Sequence, residues 1–286
     1  MLRFFSIVIC FVVLGCGERP LEPRDPTPGV PHYVFKSYNV ESHQENDTPT
    51  VEAVGAGNAD IVALQEVTPE WETVLRARYA EQYPHQLYQS KPGAAGLAVL
   101  AKFPVRDGGW HPGAGSEWPP GWHVLVDTPS GTLQLLDVHL RSAHTGNGNV
   151  VSSYLKTNQD HAHQMALFYE DCGEDYPTLV MGDFNEETSG GGVKFLESHG
   201  FRNALPLYHP GQYTWRHKSV ANQFTQTLDH ILFDYRFEPL NAWVQRIGNS
   251  DHIPVLAHLE AAEPWKPLPL PQPQSRDGEL LVDHVW

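Results

Sequence analysis

Side chains suited to metal binding and proton transfer recur at the ends of short apolar runs. Carboxylate and amide oxygens hold hard cations, and His, Asp and Glu take up and release protons. Alternate side chains of an extended strand share a face, so Asp183 and Asn185 lie together on either side of the apolar Phe184. The positions of this kind are Asn39, Glu41, Glu66, Asp137, His139, Asp183, Asn185, Asp229, Asp251 and His252. Polar groups at several strand ends can point into one cleft.

The runs before these positions have the pattern of strands, because they are short, apolar and bounded by turn residues. The candidate strands are Tyr33–Val40, Ile61–Leu64, Gly96–Ala101, His123–Asp127, Leu133–Leu140, Thr178–Met181, Thr227–Phe233 and Ile253–Leu259. Helical spacing follows Thr68-Pro69, an N-cap with proline at the first helical position, and recurs over 162–169 and 193–199. Strands dominate, and we predict an α+β fold with sheet-on-sheet packing.

Composition excludes several classes of protein. The chain has 286 residues, of which 41% are hydrophobic and 19% charged, so it can bury a core and is neither disordered nor a coiled coil. Its 24 Gly and 24 Pro indicate many turns and make a helix bundle improbable. A formal charge of −15 argues against a passive nucleic-acid binder, but not against an enzyme whose carboxylates hold a divalent cation.

The first residues have the pattern of an export signal. Arg3 precedes an apolar run to Leu14, too short for a stable membrane span, and Val13-Leu14-Gly15-Cys16 resembles a bacterial lipobox with an unusually bulky Leu14. We therefore expect residues 1–15 to be a signal peptide and Cys16 the lipidated first residue of an exported, membrane-anchored lipoprotein. Secretion without an anchor is the main alternative, and a buried N-terminal strand is the third.

Proline-rich segments flank the predicted domain. Residues 16–31 have the composition of an extended spacer from the membrane, and 263–286 form a second such segment with a tail of unclear purpose. The folded domain is expected over 32–262, as a monomer.

The segments that carry the polar positions resemble, in order and separation, the endonuclease/exonuclease/phosphatase superfamily, the fold of deoxyribonuclease I. They are Tyr38-Asn39-Val40-Glu41, Leu64-Gln65-Glu66-Val67, Asp137-Val138-His139-Leu140, Met181-Gly182-Asp183-Phe184-Asn185, Leu228-Asp229-His230-Ile231 and Ser250-Asp251-His252-Ile253-Pro254. Each is weak alone, but the ordered set extends over nearly all of 33–259. The resemblance implies a four-layer α/β/β/α sandwich, with two mainly antiparallel sheets face to face and a site at one end of them.

The resemblance also implies a metal site. Glu66 would be the principal ligand of a divalent cation, Mg²⁺ or else Mn²⁺ or Ca²⁺, with help from Asn39 and Asp251. Glu41 stands where some relatives have an Asp that reaches the metal, and its alternative is a solvated charge at a strand end.

The remaining positions resemble the family's catalytic groups. Asp183 would orient or deprotonate the attacking water, and Asn185 would hydrogen-bond a phosphoryl oxygen. His252, held by Asp229, would bind the phosphate or share proton transfer, and His139 would be a second donor on the opposite flank. The division of the general base between Asp183 and His252 stays open.

Other tempting positions have simpler interpretations. His161 and His163 are two residues apart and so lie on different faces of a helix, which disfavours a zinc site. Gly190–Gly192 is expected to be a turn that enters a helix, and His230 to point away from Asp229 without a catalytic role.

The substrate is less constrained. Thr227-Leu228-Asp229-His230 lacks the Cys and Arg typical of inositol phosphatases, and no basic stripe for tight duplex binding is present. Trp110, Trp118 and Trp122 would stack on bases, enter a lipid interface or pack a loop onto the sheet. We predict an exported Mg²⁺-dependent phosphodiesterase that cleaves nucleic acid. The alternative functions, in decreasing order of support, are phospholipid head-group hydrolysis, phosphomonoester hydrolysis and a non-catalytic binding role.

Overall fold

The computed structural model describes residues 19–112, 120–142, 150–217 and 224–262, with the backbone alone over 150–156. The expected signal peptide, Cys16, Trp118 and the tail 263–286 lie outside these residues. No helix within the described part of the chain is long and apolar enough to cross a membrane.

Two six-stranded mixed sheets form the centre of the domain. The first has the order β13-β14-β1-β2-β4-β3 and the second β5-β6-β7-β8-β12-β9. In chain order the strands are β1 (His32–Asn39), β2 (Ile61–Gln65), β3 (His85–Gln89), β4 (Leu97–Ala101), β5 (Val105–His111), β6 (Gly121–Thr128), β7 (Gly131–His139), β8 (Thr178–Asp183), β9 (Arg202–Asn203), β10 (Trp215–Arg216), β11 (Thr225–Gln226), β12 (Asp229–Phe233), β13 (Phe237–Val244) and β14 (Val255–Ala261). The short β10 and β11 form a separate two-stranded sheet, and Trp215 of β10 also forms an isolated bridge with His252.

Five α-helices lie within the described residues. They are α1 (Thr48–Gly55), α2 (Pro69–Tyr79), α3 (Val150–Tyr169), α4 (Gly191–Ser198) and α5 (Ala204–Tyr208). The Thr68 hydroxyl accepts from the backbone N–H of Trp71 and caps α2, as the Thr-Pro signal predicts. At the C-terminal end of α1, the buried Nζ of Lys36 donates to the carbonyls of Ala53, Val54 and Ala56. The end of a helix leaves such carbonyls without backbone partners.

Three apolar layers separate the four layers of secondary structure. The largest lies between the sheets and includes Phe35, Val99 and Met181. A second, around Trp71, packs α1 and α2 on the outer face of the first sheet. A third, around Met165, packs α3 and α4 on the second sheet. The predicted α/β/β/α sandwich is confirmed.

Strand pairing gathers the polar positions at one end of the sandwich. In the second sheet, β7 runs parallel to β8 with His139 opposite Asp183, and β12 runs antiparallel to β8 with Asp229 opposite the same Asp183. In the first sheet, β1 and β2 are parallel, so Asn39 and Gln65 end side by side and Glu66 follows directly. Parallel neighbours explain why groups far apart in sequence reach one edge.

The N-terminal strap, residues 21–30, lies within the segment 16–31 predicted as an extended spacer, and hydrogen bonds dock it on the domain. Leu21 N–H donates to the carbonyl of Leu207 (2.7 Å), and Arg24 N–H donates to that of Leu240 (3.0 Å). The Arg24 guanidinium lies 2.6 Å from the Glu260 carboxylate, which also accepts from Thr27 N–H at 2.8 Å. Proline favours the extended backbone as expected, but backbone and carboxylate partners dock it on the domain.

Removal of the strap should destabilise the domain. We expect a chain that starts at residue 32 to have a free energy of unfolding about 1–2 kcal/mol below that of a chain from residue 19, because Glu260 loses its donors. Burial raises the pKa of Glu260, but hydrogen bonds from Thr27 and Arg24 outweigh it and lower the pKa below 4.5. The difference should thus be fully present above pH 5 and shrink as the pH falls through the lowered pKa. Urea unfolding of both chains at pH 7 and pH 3.5 measures this, and equal stabilities at pH 7 would contradict it.

Candidate active site

Asp183, at the end of β8, is the centre of the site and joins the two sheets. Its side chain is 1% exposed. Its Oδ2 accepts from Nδ2 of Asn39 on the opposite sheet at 3.0 Å, and lies 3.5 Å from Nε2 of both His139 and His252. Its Oδ1 accepts from the backbone N–H of Asn185 at 2.9 Å. A buried carboxylate held by the Asn39 and Asn185 donors is oriented before any substrate arrives.

His139 is oriented by a backbone contact. Its Nδ1 donates to the carbonyl of Ala94 at 2.9 Å, in the 3₁₀ turn Gly93–Ala95 that precedes β4. Because that partner can only accept, the Nδ1 proton is fixed and Nε2 points to Asp183.

His252 and Asp229 form a second buried pair. The Nδ1 of His252 lies 3.0 and 2.9 Å from the two carboxylate oxygens of Asp229. Burial lowers the pKa of His252, but the carboxylates of Asp229 and Asp183 outweigh it and raise the pKa to about 10. Burial also raises the pKa of Asp229, yet both its oxygens face the same Nδ1–H, so the shared proton resides on the imidazole. A cationic ring therefore presents Nε2 to the cleft at neutral pH.

Glu66, Asn39, Asp251 and Glu41 supply oxygen atoms on the other flank. Asn39 Nδ2 donates to Glu66 Oε1 at 3.1 Å, and Oε2 accepts from the N–H of Ser42 at 3.1 Å. Glu41 Oε2 accepts from the N–H of Asp251 at 3.2 Å. Half-buried Glu66 thus receives neutral donors and forms no ion pair among the described residues. Carboxylate and amide oxygens of this kind are the type of ligand that Mg²⁺ prefers.

Backbone strain is concentrated at this site. Glu41, Glu66 and Asn185 have φ of 59°, 63° and 51°, a left-handed conformation that L-residues other than Gly, Asn and Asp seldom adopt. Such conformations persist where the surroundings impose them, and they cluster at functional sites. Half-buried Asn185 is held by two contacts, its N–H on Asp183 and its Nδ2 on the carbonyl of Leu140 at 2.9 Å.

Asp183, Asp229 and His252 also lie close enough together to hold a metal ion, with ligand atoms within 4.8 Å of one another. Both oxygens of Asp229 already contact His252 Nδ1, so this group would have to rearrange to bind one.

Three supporting residues were missed by sequence reasoning. Ser250 Oγ donates to the carbonyl of Asn39 (2.8 Å) and accepts from His252 N–H, which ties the Asp-His segment to β1. Thr214 Oγ1 accepts from Asp229 N–H at 2.9 Å, and Trp215 Nε1 donates to Asp251 Oδ2 at 2.9 Å. Ser250 directly precedes Asp251 and was a detectable signal, whereas Thr214 and Trp215 lie on a separate segment without one.

Two tryptophans of the predicted loop, Trp110 and Trp122, pack against each other. Trp122 is 1% exposed and its Nε1 donates to Asp107 at 2.9 Å, and half-buried Trp110 packs edge-on against it. Packing onto the sheet is therefore the outcome for these two residues.

Asp137 lies fully buried beneath the site and should make stability depend on pH. Its Oδ1 accepts from Gln65 Nε2 at 2.7 Å, and burial raises its pKa well above 3.8. The folded state thus holds a proton that the unfolded state releases, so stability falls as the pH rises above about 4. In wild type this loss of unfolding free energy amounts to up to about 1.4 kcal/mol per pH unit until the folded pKa is reached, and Asp137→Asn removes it.

Urea unfolding of wild type and Asp137→Asn at pH 5 and pH 8 measures this effect. We expect the stability of the variant relative to wild type to be greater at pH 8, because other titrating groups cancel in the difference. A difference independent of pH would contradict the buried neutral carboxyl.

Comparison with known proteins identifies the family to which the sequence and fold are similar. The sequence profile described as Endonuclease/Exonuclease/phosphatase family matches residues 37–252. A search of curated protein sequences gives no significant match. Among solved structures, D. rerio TDP2 complexed with a single-strand DNA product has a TM-score of 0.61 at 18% identity, covering 80% of this chain and 98% of that one.

Two further structures share the fold at similar distance. The 3'-5' exonuclease NExo from Neisseria meningitidis has a TM-score of 0.58 at 16% identity, with 78% of this chain and 98% of that chain covered. Beta toxin from Staphylococcus aureus has a TM-score of 0.56 at 17% identity, with 79% and 99% covered. With the profile extending from β1 to His252, the chain belongs to the endonuclease/exonuclease/phosphatase family.

Proposed function

We propose that this chain is an exported, Mg²⁺-dependent phosphodiesterase that hydrolyses nucleic acid. The observation that carries the proposal is the set of contacts around Asp183 Oδ2, with Asn39 at 3.0 Å and the Nε2 atoms of His139 and His252 at 3.5 Å. A proton acceptor thus lies between two imidazoles and beside an amide that also touches Glu66. Such an arrangement can hold a phosphate ester and a water molecule next to each other.

Glu66, Asn39, Asp251 and Glu41 would hold the cation. Bound there, Mg²⁺ would neutralise charge on a phosphoryl oxygen and polarise the phosphorus. The Asn39 amide would fix the Glu66 carboxylate against Asp183, because its Nδ2 already donates to both.

The second sheet would supply the proton-transfer and phosphate-binding groups. Asp183 would orient the attacking water and take its proton, in line with the scissile bond. Nε2 of cationic His252, with its other nitrogen on Asp229, would donate to a phosphoryl oxygen, as would the Asn185 amide. His139 would bind the phosphate from the opposite flank.

Nucleic acid is the substrate class that the comparisons favour. TDP2 was crystallised with a DNA product and NExo is a 3'-5' exonuclease, and both resemble this fold over about four fifths of the chain. Phospholipid head-group hydrolysis, the first alternative left open by the sequence, is the competing outcome of the test.

Export is proposed from the N-terminal sequence. Signal cleavage before Cys16 would leave an acylated N-terminus and a monomeric domain anchored to the membrane. Mass spectrometry of the mature N-terminus tests this, and an acyl group on Cys16 is the expected result. An unmodified N-terminus at another residue would overturn the anchor but not the chemistry.

The substrate is tested with the chain from residue 19, which keeps the strap. Bis(p-nitrophenyl) phosphate, plasmid DNA, RNA and sphingomyelin are compared with added Mg²⁺ or EDTA, with Asp183→Asn as the matched inactive control. We expect EDTA-sensitive cleavage of DNA or RNA by wild type alone. Turnover confined to sphingomyelin would overturn the nucleic-acid assignment, and no turnover of any substrate by folded protein would overturn the activity.

A further inference from the structure

A second buried acid-base pair lies outside the proposed machinery. His161 on α3 is 1% exposed and Glu186, just after β8, is 7% exposed. His161 Nδ1 lies 2.8 Å from Glu186 Oε2, and its Nε2 lies 2.6 Å from the carbonyl oxygen of Arg141. The sequence disfavoured a metal site at His161, and the structure pairs this residue with Glu186 and Arg141 instead.

Every polar atom of this pair is engaged. Both ring nitrogens of His161 face oxygen atoms, so each is held by a hydrogen bond. Glu186 Oε1 accepts from the N–H of Val193 in the first turn of α4 at 2.8 Å. A buried acid-base pair persists when all of its hydrogen-bonding atoms are satisfied in this way.

The backbone of Glu186 is fixed as well. Its carbonyl accepts from Nε2 of His230 at 2.9 Å, and Nδ1 of that ring accepts from Nδ2 of Asn203 at 2.9 Å. The ring of His230 thus contacts Glu186 and Asn203 and points away from Asp229, as predicted. The glycines that open α4 make room for the pair, because a Cβ at Gly190 would collide with the Glu186 carboxylate and one at Gly192 would lie 3.0 Å from Glu186 Oε1.

The pair contacts the chain on both sides of the Asn185 hydrogen bond. Glu186 directly follows Asn185, which has a left-handed φ of 51°. Asn185 Nδ2 donates to the carbonyl of Leu140, and the next carbonyl along the chain, that of Arg141, accepts from His161. The His161–Glu186 pair thus fixes the residue after Asn185 and the residue after its acceptor.

We propose that His161 and Glu186 are positioning residues that hold the Asn185 amide in place for a phosphoryl oxygen of the substrate. The proposal rests on the proposed function, since it presupposes that Asn185 contacts the phosphate. Neither residue touches the substrate, and their effect passes through the Asp183–Asn185 turn.

His161→Leu and Glu186→Ala should each lower kcat about 10- to 100-fold, because small displacements of a group that acts in the transition state are costly. KM should change less than about 3-fold, since the contact strengthens mainly in the transition state. Glu186→Gln should stay within about 3-fold of wild type. Its amide can donate to Nδ1 of neutral His161, whose Nε2–H still reaches Arg141, while Oε1 still accepts from Val193.

A double-mutant cycle separates positioning from a general structural role. His161→Leu should cost less than about 3-fold in an Asn185→Ala background, because the group that it positions is already gone. In a Glu66→Gln background, at a residue associated with the other sheet, His161→Leu should keep its full effect on kcat. His163→Gln, on an exposed position of the same helix, should retain wild-type kcat. Full additivity with Asn185→Ala would overturn the proposal.

The side-chain amide resonance of Asn185 gives a readout that does not need activity. In ¹H–¹⁵N spectra, His161→Leu should shift this resonance and Glu186→Gln should leave it near its wild-type position. If His161→Leu does not fold, His161→Gln, which keeps one of the two hydrogen bonds, should give a smaller shift in the same direction. An unshifted resonance in the folded variants would overturn the positioning role, whereas an inactive wild type with the predicted shifts would overturn only the proposed function.

Discussion

Asparagine in place of Asp183 should lower kcat for phosphodiester hydrolysis by about 10³- to 10⁴-fold, near the upper range for loss of a general base. The amide keeps the size of the carboxylate but cannot take a proton. It also turns an NH₂ group toward either Asn39 Nδ2 or the N–H of Asn185, both of which donate to the wild-type carboxylate. KM should change far less, because the loss falls mainly on the transition state.

Steady-state kinetics of wild type and Asp183→Asn at saturating Mg²⁺ measure this effect. Circular dichroism and urea unfolding of the same samples control for folding, which matters because the side chain is 1% exposed. A folded variant that retains kcat within about 5-fold of wild type would show that Asp183 is not the general base.

Glutamine in place of Glu66 should weaken Mg²⁺ binding by about 100-fold, because the principal anionic ligand becomes neutral. The amide can still pair with Asn39 or Ser42, so the strained turn at residue 66 should survive the change. Isothermal titration calorimetry of Mg²⁺ gives the affinity directly, without reliance on turnover.

Glu70→Gln is the matched control for this variant, since it removes the same charge from an exposed position four residues on, in the first turn of α2. It should bind Mg²⁺ as wild type does. Equal losses in both variants would indicate a diffuse effect of net charge, and an unchanged affinity in Glu66→Gln would place the cation elsewhere, with the Asp183, Asp229 and His252 group as the next candidate.

The strands and the polar positions at their ends were accessible from the sequence because they depend on local pattern, whereas the four-layer arrangement came from the family resemblance. The apolar run over 178–181 predicts β8, and the Thr68-Pro69 cap begins α2 where predicted. Asn185 differs from the prediction, because β8 ends at Asp183 and Asn185 has a left-handed φ of 51°, so strand alternation does not place its side chain. Strand order brings Asp229 opposite Asp183, which spacing alone could not show, and the resemblance implied only that Asp229 holds His252.

The remaining features depend on tertiary partners that no local pattern encodes. The proline-rich strap has the composition of a spacer, yet Glu260, more than 230 residues away in sequence, fixes it. His161 and His163 look alike on a helix, but only the first meets Glu186. The missed strands β3, β5 and β13 are half-exposed or interrupted by Gly or Pro, so their apolar pattern is weak.

The most direct test of the account is the hydrolysis of bis(p-nitrophenyl) phosphate by the chain from residue 19, stripped with EDTA and then titrated with Mg²⁺, beside Asp183→Asn treated identically. The account predicts no turnover in the stripped enzyme, saturable recovery with Mg²⁺ in wild type, and at least about 10³-fold less recovery in the variant. Turnover that survives metal removal, or equal recovery in both proteins, would contradict a metal-dependent phosphodiesterase centred on Asp183.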